Sequence, residues 1–101
     1  MNQHQYIKNI TQTYADALAI VSSKVKDYAT KRDPFTNFRS GELIGVSVEK
    51  AILIQVLNKV SRIHNLLNKE ASNESITDSC LDAINYLAIL KAKIDADKDI
   101  S

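Results

Sequence analysis

The chain is poor in the residues that punctuate or staple a fold. It has two glycines and one proline in 101 residues. An all-β architecture needs a turn every 8–12 residues or so, and the breakers for it are missing. A single cysteine, Cys80, leaves no internal disulfide, so a reducing compartment is expected. Thirteen Lys and Arg against twelve Asp and Glu give a formal charge of +1. Such a balance lacks the positive field that favours duplex DNA or an anionic membrane. Long apolar runs are absent too. The longest apolar-rich stretch, Ala51 to Leu57, is interrupted by Gln55 and falls far short of the roughly 20 residues that span a bilayer. The polar start, Met1 to Gln5, is not followed by an apolar run of signal length. The expectation is a cytoplasmic protein with its start intact, bound to neither membrane nor duplex nucleic acid.

What is present is an ordinary globular composition, 45% apolar and 25% charged, which excludes disorder as the default. The length suits a single domain over residues 1–101. Apolar residues at steps of three and four predict a first helix from about Gln5 to Thr30, carrying Tyr6, Ile10, Tyr14, Ala17, Leu18, Val21, Val25 and Tyr28 on one face. From Lys31 to Val46 the pattern breaks. Asp33-Pro34 favours a turn, Gly41 and Gly45 permit positive φ, and Glu42-Leu43-Ile44 has room for one short helical turn. The stretch is long for a loop in so small a domain, and such loops are usually functional or disordered. Phe35 and Phe38 argue that this one is pinned to the body.

A second helix is predicted from Ser47, a good N-cap with Glu49 in the first turn, to about Lys69. Val48, Ile52, Val56, Val60, Ile63 and Leu67 form its main stripe, with Leu53, Leu57 and Leu66 beside it. Ala51 and Ile54 fall nearer the opposite face. Apolar surface over so much of the circumference implies burial on more than one side, hence a homodimer or larger, with Ile54 as the most outlying apolar residue. The short connection from Glu70 to Asn73 makes the second and third helices antiparallel neighbours. The third starts near Asn73 or Ser75, where Ser75 and Asp78 have capping-box spacing, and ends near Asp97. Its stripe is Ile76, Cys80, Ile84, Leu87, Leu90 and Ile94, flanked by Leu81 and Ala88. The fold expected is all-α: three main helices, the last two an antiparallel hairpin, with a long loop between the first and second.

The third helix carries a polar strip as well. At 100° per residue, Glu74, Asp78, Asp82 and Asn85 share about an 80° arc. One reading is a solvated face whose first acids are favoured by the helix dipole. The other is that Glu74, Asp78 and Asp82 hold Mg²⁺, which takes one or two carboxylates together with substrate phosphates. Lys59 and Arg62 at the edge of the second helix either snorkel, pair with these acids, or meet a phosphate, Arg as a fork and Lys as a point charge. In the loop, Asp33, Asn37 and Arg39 beside Phe35 and Phe38 can cap the open end of the bundle, or stack on a base and bond its edge. Several chemistries lack support. No phosphate-cradling glycine pattern exists, and one Cys with His4 and His64 far apart offers no zinc site.

In order, Asp27-Tyr28-Ala29, Asp33-Pro34-Phe35 and Asn37-Phe38-Arg39 resemble the opening of a family of small phage and prophage proteins described as MazG-like, or as a nucleotide-modification-associated domain. Asn58-Lys59-Val60-Ser61-Arg62-Ile63-His64-Asn65-Leu66-Leu67 resembles its D-K-x-S-R-I-x-N-L-L block. Glu74-Ser75-Ile76-Thr77-Asp78, continuing through Asp82 to Asn85-Tyr86, resembles its last block, E-S-I-x-D-T-x-x-D-x-x-N-Y. That block is also similar to the acidic helix of all-α NTP pyrophosphatases, which bind Mg²⁺ with clustered carboxylates on two helices. The resemblance covers about Asp27 to Leu90. It implies a nucleotide or nucleotide-derived ligand held by Lys59, Arg62, Asp33, Asn37, Phe38, Arg39 and Asn85, with Glu74, Asp78 and Asp82 at a possible Mg²⁺. Asn58 stands where the family pattern has Asp, and no E-E-x-x-E motif occurs on a partner helix. Nucleotide handling is therefore better supported than catalysis. Three mechanisms compete: binding or sequestration without turnover, Mg²⁺-dependent pyrophosphate hydrolysis, and a non-enzymatic module whose acidic strip contacts a host protein.

Overall fold

The computed structural model describes residues 1–27, 33–69 and 73–100. Among these the regular structure is all helical. Helix α1 spans Gln3–Asp27, α2 Val48–Leu67 and α3 Asn73–Ile100. Two short 3-10 turns, Thr36–Phe38 and Ser40–Ile44, lie between α1 and α2. The expected last turn of the first helix (28–30) and the connection at 70–72 fall outside the described residues. None of the described helices is long and apolar enough to cross a membrane.

The helix starts follow local chemistry. The Asn2 side-chain oxygen accepts the Gln5 N–H at 2.8 Å. The Ser47 hydroxyl accepts the Lys50 N–H at 3.2 Å, with the extended backbone that an N-cap requires. Because α3 begins at Asn73, Ser75 lies within its first turn rather than at its cap. The helix continues past the expected end at Asp97 to Ile100. Lys91–Asp95 and Lys93–Asp97, each 2.6 Å and four residues apart, support those last turns.

The principal packing is α2 against α3. Val48, Ile52 and Val56 are buried there, Ile52 completely. Glu49, early in α2, meets Lys93, late in α3, at 3.0 Å, and Lys59 meets Asp82 at 3.1 Å. These two pairs tie α2 to α3 at two levels. By contrast, α1 packs on α3 alone and makes no contact with α2 among the described residues. Its attachment centres on Ala17, 2% exposed, whose carbonyl accepts the Asn85 side-chain N–H at 3.0 Å. With α3 between two helices that do not meet, the chain is an open layer rather than a closed bundle. Its radius of gyration is 15.8 Å, where a compact chain of this length has about 13 Å.

The apolar stripes are only partly buried. Tyr6, Ile10, Tyr14 and Leu18 of α1 are exposed, as are Val60 and Leu67 of α2 and Leu87 and Ile94 of α3. Leu81, expected at the flank of its stripe, is one of the buried residues. Periodicity identifies the apolar side of a helix. Burial also requires a neighbour on that side, and the open layer supplies few.

The described part of the long segment, from Asp33 onward, is held to the body at Phe35 and Phe38. Phe38 meets the Tyr86 ring edge-on at 6.2 Å between centroids, and the Lys93 ammonium sits 5.9 Å from the Phe35 centroid. Its glycines serve different ends. Gly45 has φ of 82° and closes the second 3-10 turn. Gly41 does not have positive φ; a Cβ there would lie 3.0 Å from that of Val46, so its role is close approach.

Candidate functional site

The polar sides of α2 and α3 share one face. Lys59 and Asp82, both about a third exposed or less, link the two helices at its centre. The two cross-helix ion pairs fix the register, which sets Arg62 level with about Ser79. Asp78 is then within about one residue of the same height, roughly 1.5 Å along the axis. Arg62, Glu74 and Asp78 are exposed, and none of them forms an ion pair with a described residue. The expected cluster therefore divides. Lys59 and Asp82 neutralise one another, while Arg62 and the first two acids remain open to solvent.

Around Arg62 the surface of α2 forms an open depression of about 540 Å³, lined by Gln55, Asn58, Lys59, Ser61, Arg62, Asn65 and Leu66. Four of these, Gln55, Asn58, Arg62 and Asn65, stand in the sequence as a polar stripe at steps of three, four and three, complementary to the apolar one. The amides offer donors and acceptors, and the guanidinium offers a fork suited to phosphate. Gln55 is an addition to the residues singled out by charge or resemblance. Its signal was the polar periodicity of α2.

Asn85 sits on the same strip of α3 but turns its amide to the Ala17 carbonyl of α1. It ties α1 to α3, which limits its part in holding a ligand. Among the described residues, no three His, Cys, Asp or Glu side chains gather closely enough to hold a metal. Glu74 and Asp82 are eight residues apart on one helix, about 12 Å along its axis, so the three acids form a line rather than a cage.

The loop residues form a separate polar group. Arg39 Nε donates to Asp33 Oδ2, and Arg39 Nη1 lies 3.4 Å from Glu42 Oε1. The Phe35 N–H donates to Asp33 Oδ1 at 3.0 Å. The Arg39 hydrogen bond, and then that of the Phe35 N–H, hold the Asp33 carboxyl below its usual range, while Asp33 raises the Arg39 guanidinium. Asn37 is exposed. Phe38 sits against Tyr86, level with about Gln55 of α2, so some 10 Å along α2 separates it from Arg62. The loop and the Arg62 face are thus adjacent regions rather than one pocket.

A residue that sequence reasoning passed over organises the far end. Lys93 bridges Asp97 and Glu49 and faces the Phe35 ring. Asp97 and then Glu49 raise its ammonium above the usual lysine range, and Lys93 lowers the Glu49 carboxyl. Only its pair with Asp97, four residues on, is local; Glu49 and Phe35 lie far away in sequence. No protein-family model, curated protein or solved structure matches this chain.

Proposed function

We propose that the protein binds a nucleotide or nucleotide-derived ligand on the polar face of an α2–α3 antiparallel hairpin, and that it holds the ligand without turnover. The observation that carries this reading is Arg62, exposed in a depression whose other lining residues are three amides, a hydroxyl, Leu66 and Lys59, the last already paired with Asp82. Arg62 contacts phosphate, and Gln55, Asn58 and Asn65 bond the remaining polar groups. Glu74 and Asp78 are the carboxylates free to share a Mg²⁺ with the ligand phosphates, in keeping with the one or two that Mg²⁺ usually takes. Asn37 and Phe38 border the face at its other end and are the candidates for the base. The resemblance of the Asp33–Arg39, Asn58–Leu67 and Glu74–Tyr86 stretches to the MazG-like phage family supports the ligand class. Hydrolysis is the second reading. It loses support because Asp82 is engaged by Lys59, which leaves too few acids for a two-metal site.

The test is a thermal-shift screen of nucleotides and cyclic nucleotides, with and without Mg²⁺, since a ligand that binds only the folded state raises its apparent stability. For the compound that shifts most, Arg62→Ala is expected to weaken binding about tenfold or more even without metal. Asp78→Asn is expected to remove only the Mg²⁺-dependent part. Product formation from a nucleoside triphosphate would favour hydrolysis. Absence of any shift would favour the host-protein module. Unchanged affinity in both variants by calorimetry removes this face from consideration.

A further inference from the structure

The exposed apolar side chains fall into two main groups, one on α1 and one on the α2–α3 pair. On α1 they are Tyr6, Ile7, Ile10, Tyr14 and Leu18, within about a 120° arc at 100° per residue. On α2 they are Leu53, Leu57, Val60 and Leu67, within about 80° and across the helix from Arg62. Because the Lys59–Asp82 pair joins the polar sides of α2 and α3, their apolar sides also coincide. Leu87 and Ile94, across α3 from Asp78, extend the α2 stripe into one apolar face.

The surface area says how much of this is out of place. The chain exposes 7868 Å², whereas a folded monomer of 11.3 kDa exposes about 5,700 Å². The surplus is about 2,100 Å², against about 800 Å² per partner in a standard interface. It matches what one subunit of an obligate dimer buries. Both stripes repeat at steps of three and four, and they have similar lengths, about 18 Å from Tyr6 to Leu18 and about 21 Å from Leu53 to Leu67. Within one chain they do not meet, since α1 and α2 share no contact among the described residues. A formal charge of +1 sets no barrier between copies. Pairing the α2–α3 faces alone would leave the α1 stripe in water.

We infer that two copies of this chain form a twofold dimer by reciprocal docking of α1. Each protomer's α1 lays Tyr6, Ile10, Tyr14 and Leu18 along the Leu53–Leu67 stripe of the other. Both apolar surfaces are covered, and the Arg62 face points outward, accessible in each subunit. The assembly does not depend on the nucleotide reading.

The test uses light scattering of the full chain at tens of micromolar, with Tyr14→Glu and Leu57→Lys. These side chains are 64% and 59% exposed in the single chain, so the α2–α3 core tolerates the changes. The wild type is expected to be dimeric, and each variant to weaken the dimer by at least about 100-fold. Mixing the two variants restores it, because one interface of the mixed dimer is then native and the other sets the introduced carboxylate against the introduced ammonium. Ile54→Glu, about 100° off the stripe, leaves the dimer intact. A monomeric wild type overturns the inference. So does a dimer that Leu57→Lys breaks and Tyr14→Glu does not, or a mixture that stays monomeric.

Discussion

Lys59 and Arg62 lie three residues apart on one helix and have different surroundings. Lys59 is held 3.1 Å from Asp82, whereas Arg62 faces solvent. An ion pair this exposed contributes about 0.2–1 kcal/mol. Asp82→Asn is therefore expected to lower stability by no more than about 1 kcal/mol in urea unfolding. A larger loss would mean that the pair is more enclosed than its exposure indicates. Ser47 has a more definite task. Its hydroxyl satisfies the Lys50 N–H at the start of α2, so Ser47→Ala is expected to cost about 1 kcal/mol. Gly45→Ala forces φ of 82° on a residue with a Cβ, at about 1–2 kcal/mol. Equal stability of Gly45→Ala and the wild type would contradict the left-handed turn. These positions also show how legible single residues were. The Ser47 cap and the turn at Gly45 rest on neighbours within a few positions, so the sequence displays them. The Lys93 bridge joins residues more than forty positions apart and has no local signature.

Among the elements, the loop and the far end of the α2–α3 pair carry the pH dependence. The Asp33 carboxyl is lowered by Arg39, and the Glu49 carboxyl by Lys93. A depressed folded-state value stabilises the fold above the unfolded value of about 4. That contribution is lost as pH falls through the lower folded value. The Lys93 ammonium is raised by Asp97 and Glu49. Its contribution is present below the unfolded value of about 10.4 and is lost as pH rises through the folded value. The anchoring of the loop is thus expected to be complete between about pH 5 and pH 10. Acidification below about pH 4 should change the Phe35 and Phe38 ring resonances before α2 and α3 unfold. Ring signals constant down to global unfolding would mean that these charges do not hold the loop. Helix type and approximate bounds were legible here because periodicity and caps are local. The sharing of faces was not. Val60 and Leu67 read as core by spacing and are exposed, since no neighbour in the chain reaches that side. In the candidate site, the polar strips were legible as strips. Which members pair depends on helix rotation and register, and those set Lys59 rather than Arg62 against an acid.

At the scale of the whole molecule, α1 is the element whose state depends most on assembly. Residues 3–16 are helical, yet nearly every side chain among them is exposed. Contact with the body begins around Ala17. An isolated helix of this length is marginal in water, because nucleation is costly and propagation gains little per residue. Asn2 caps its start, which contributes about 1 kcal/mol and does not replace a packed face. In the dimer, Tyr6, Ile10, Tyr14 and Leu18 would provide that face. The Leu57→Lys variant leaves α1 unchanged in sequence and removes its proposed seat. In this variant the first four turns of α1 are expected to fray. The helical circular dichroism signal should fall by about a fifth, and the amides of residues 3–16 should exchange with solvent far faster than those of α2 and α3. In the wild type the same amides should be protected, with the melting midpoint rising as protein concentration increases. A monomeric Leu57→Lys chain with full helicity and slow exchange in residues 3–16 would show that α1 is stable alone. The surplus surface would then be a property of the single chain rather than the mark of a missing partner.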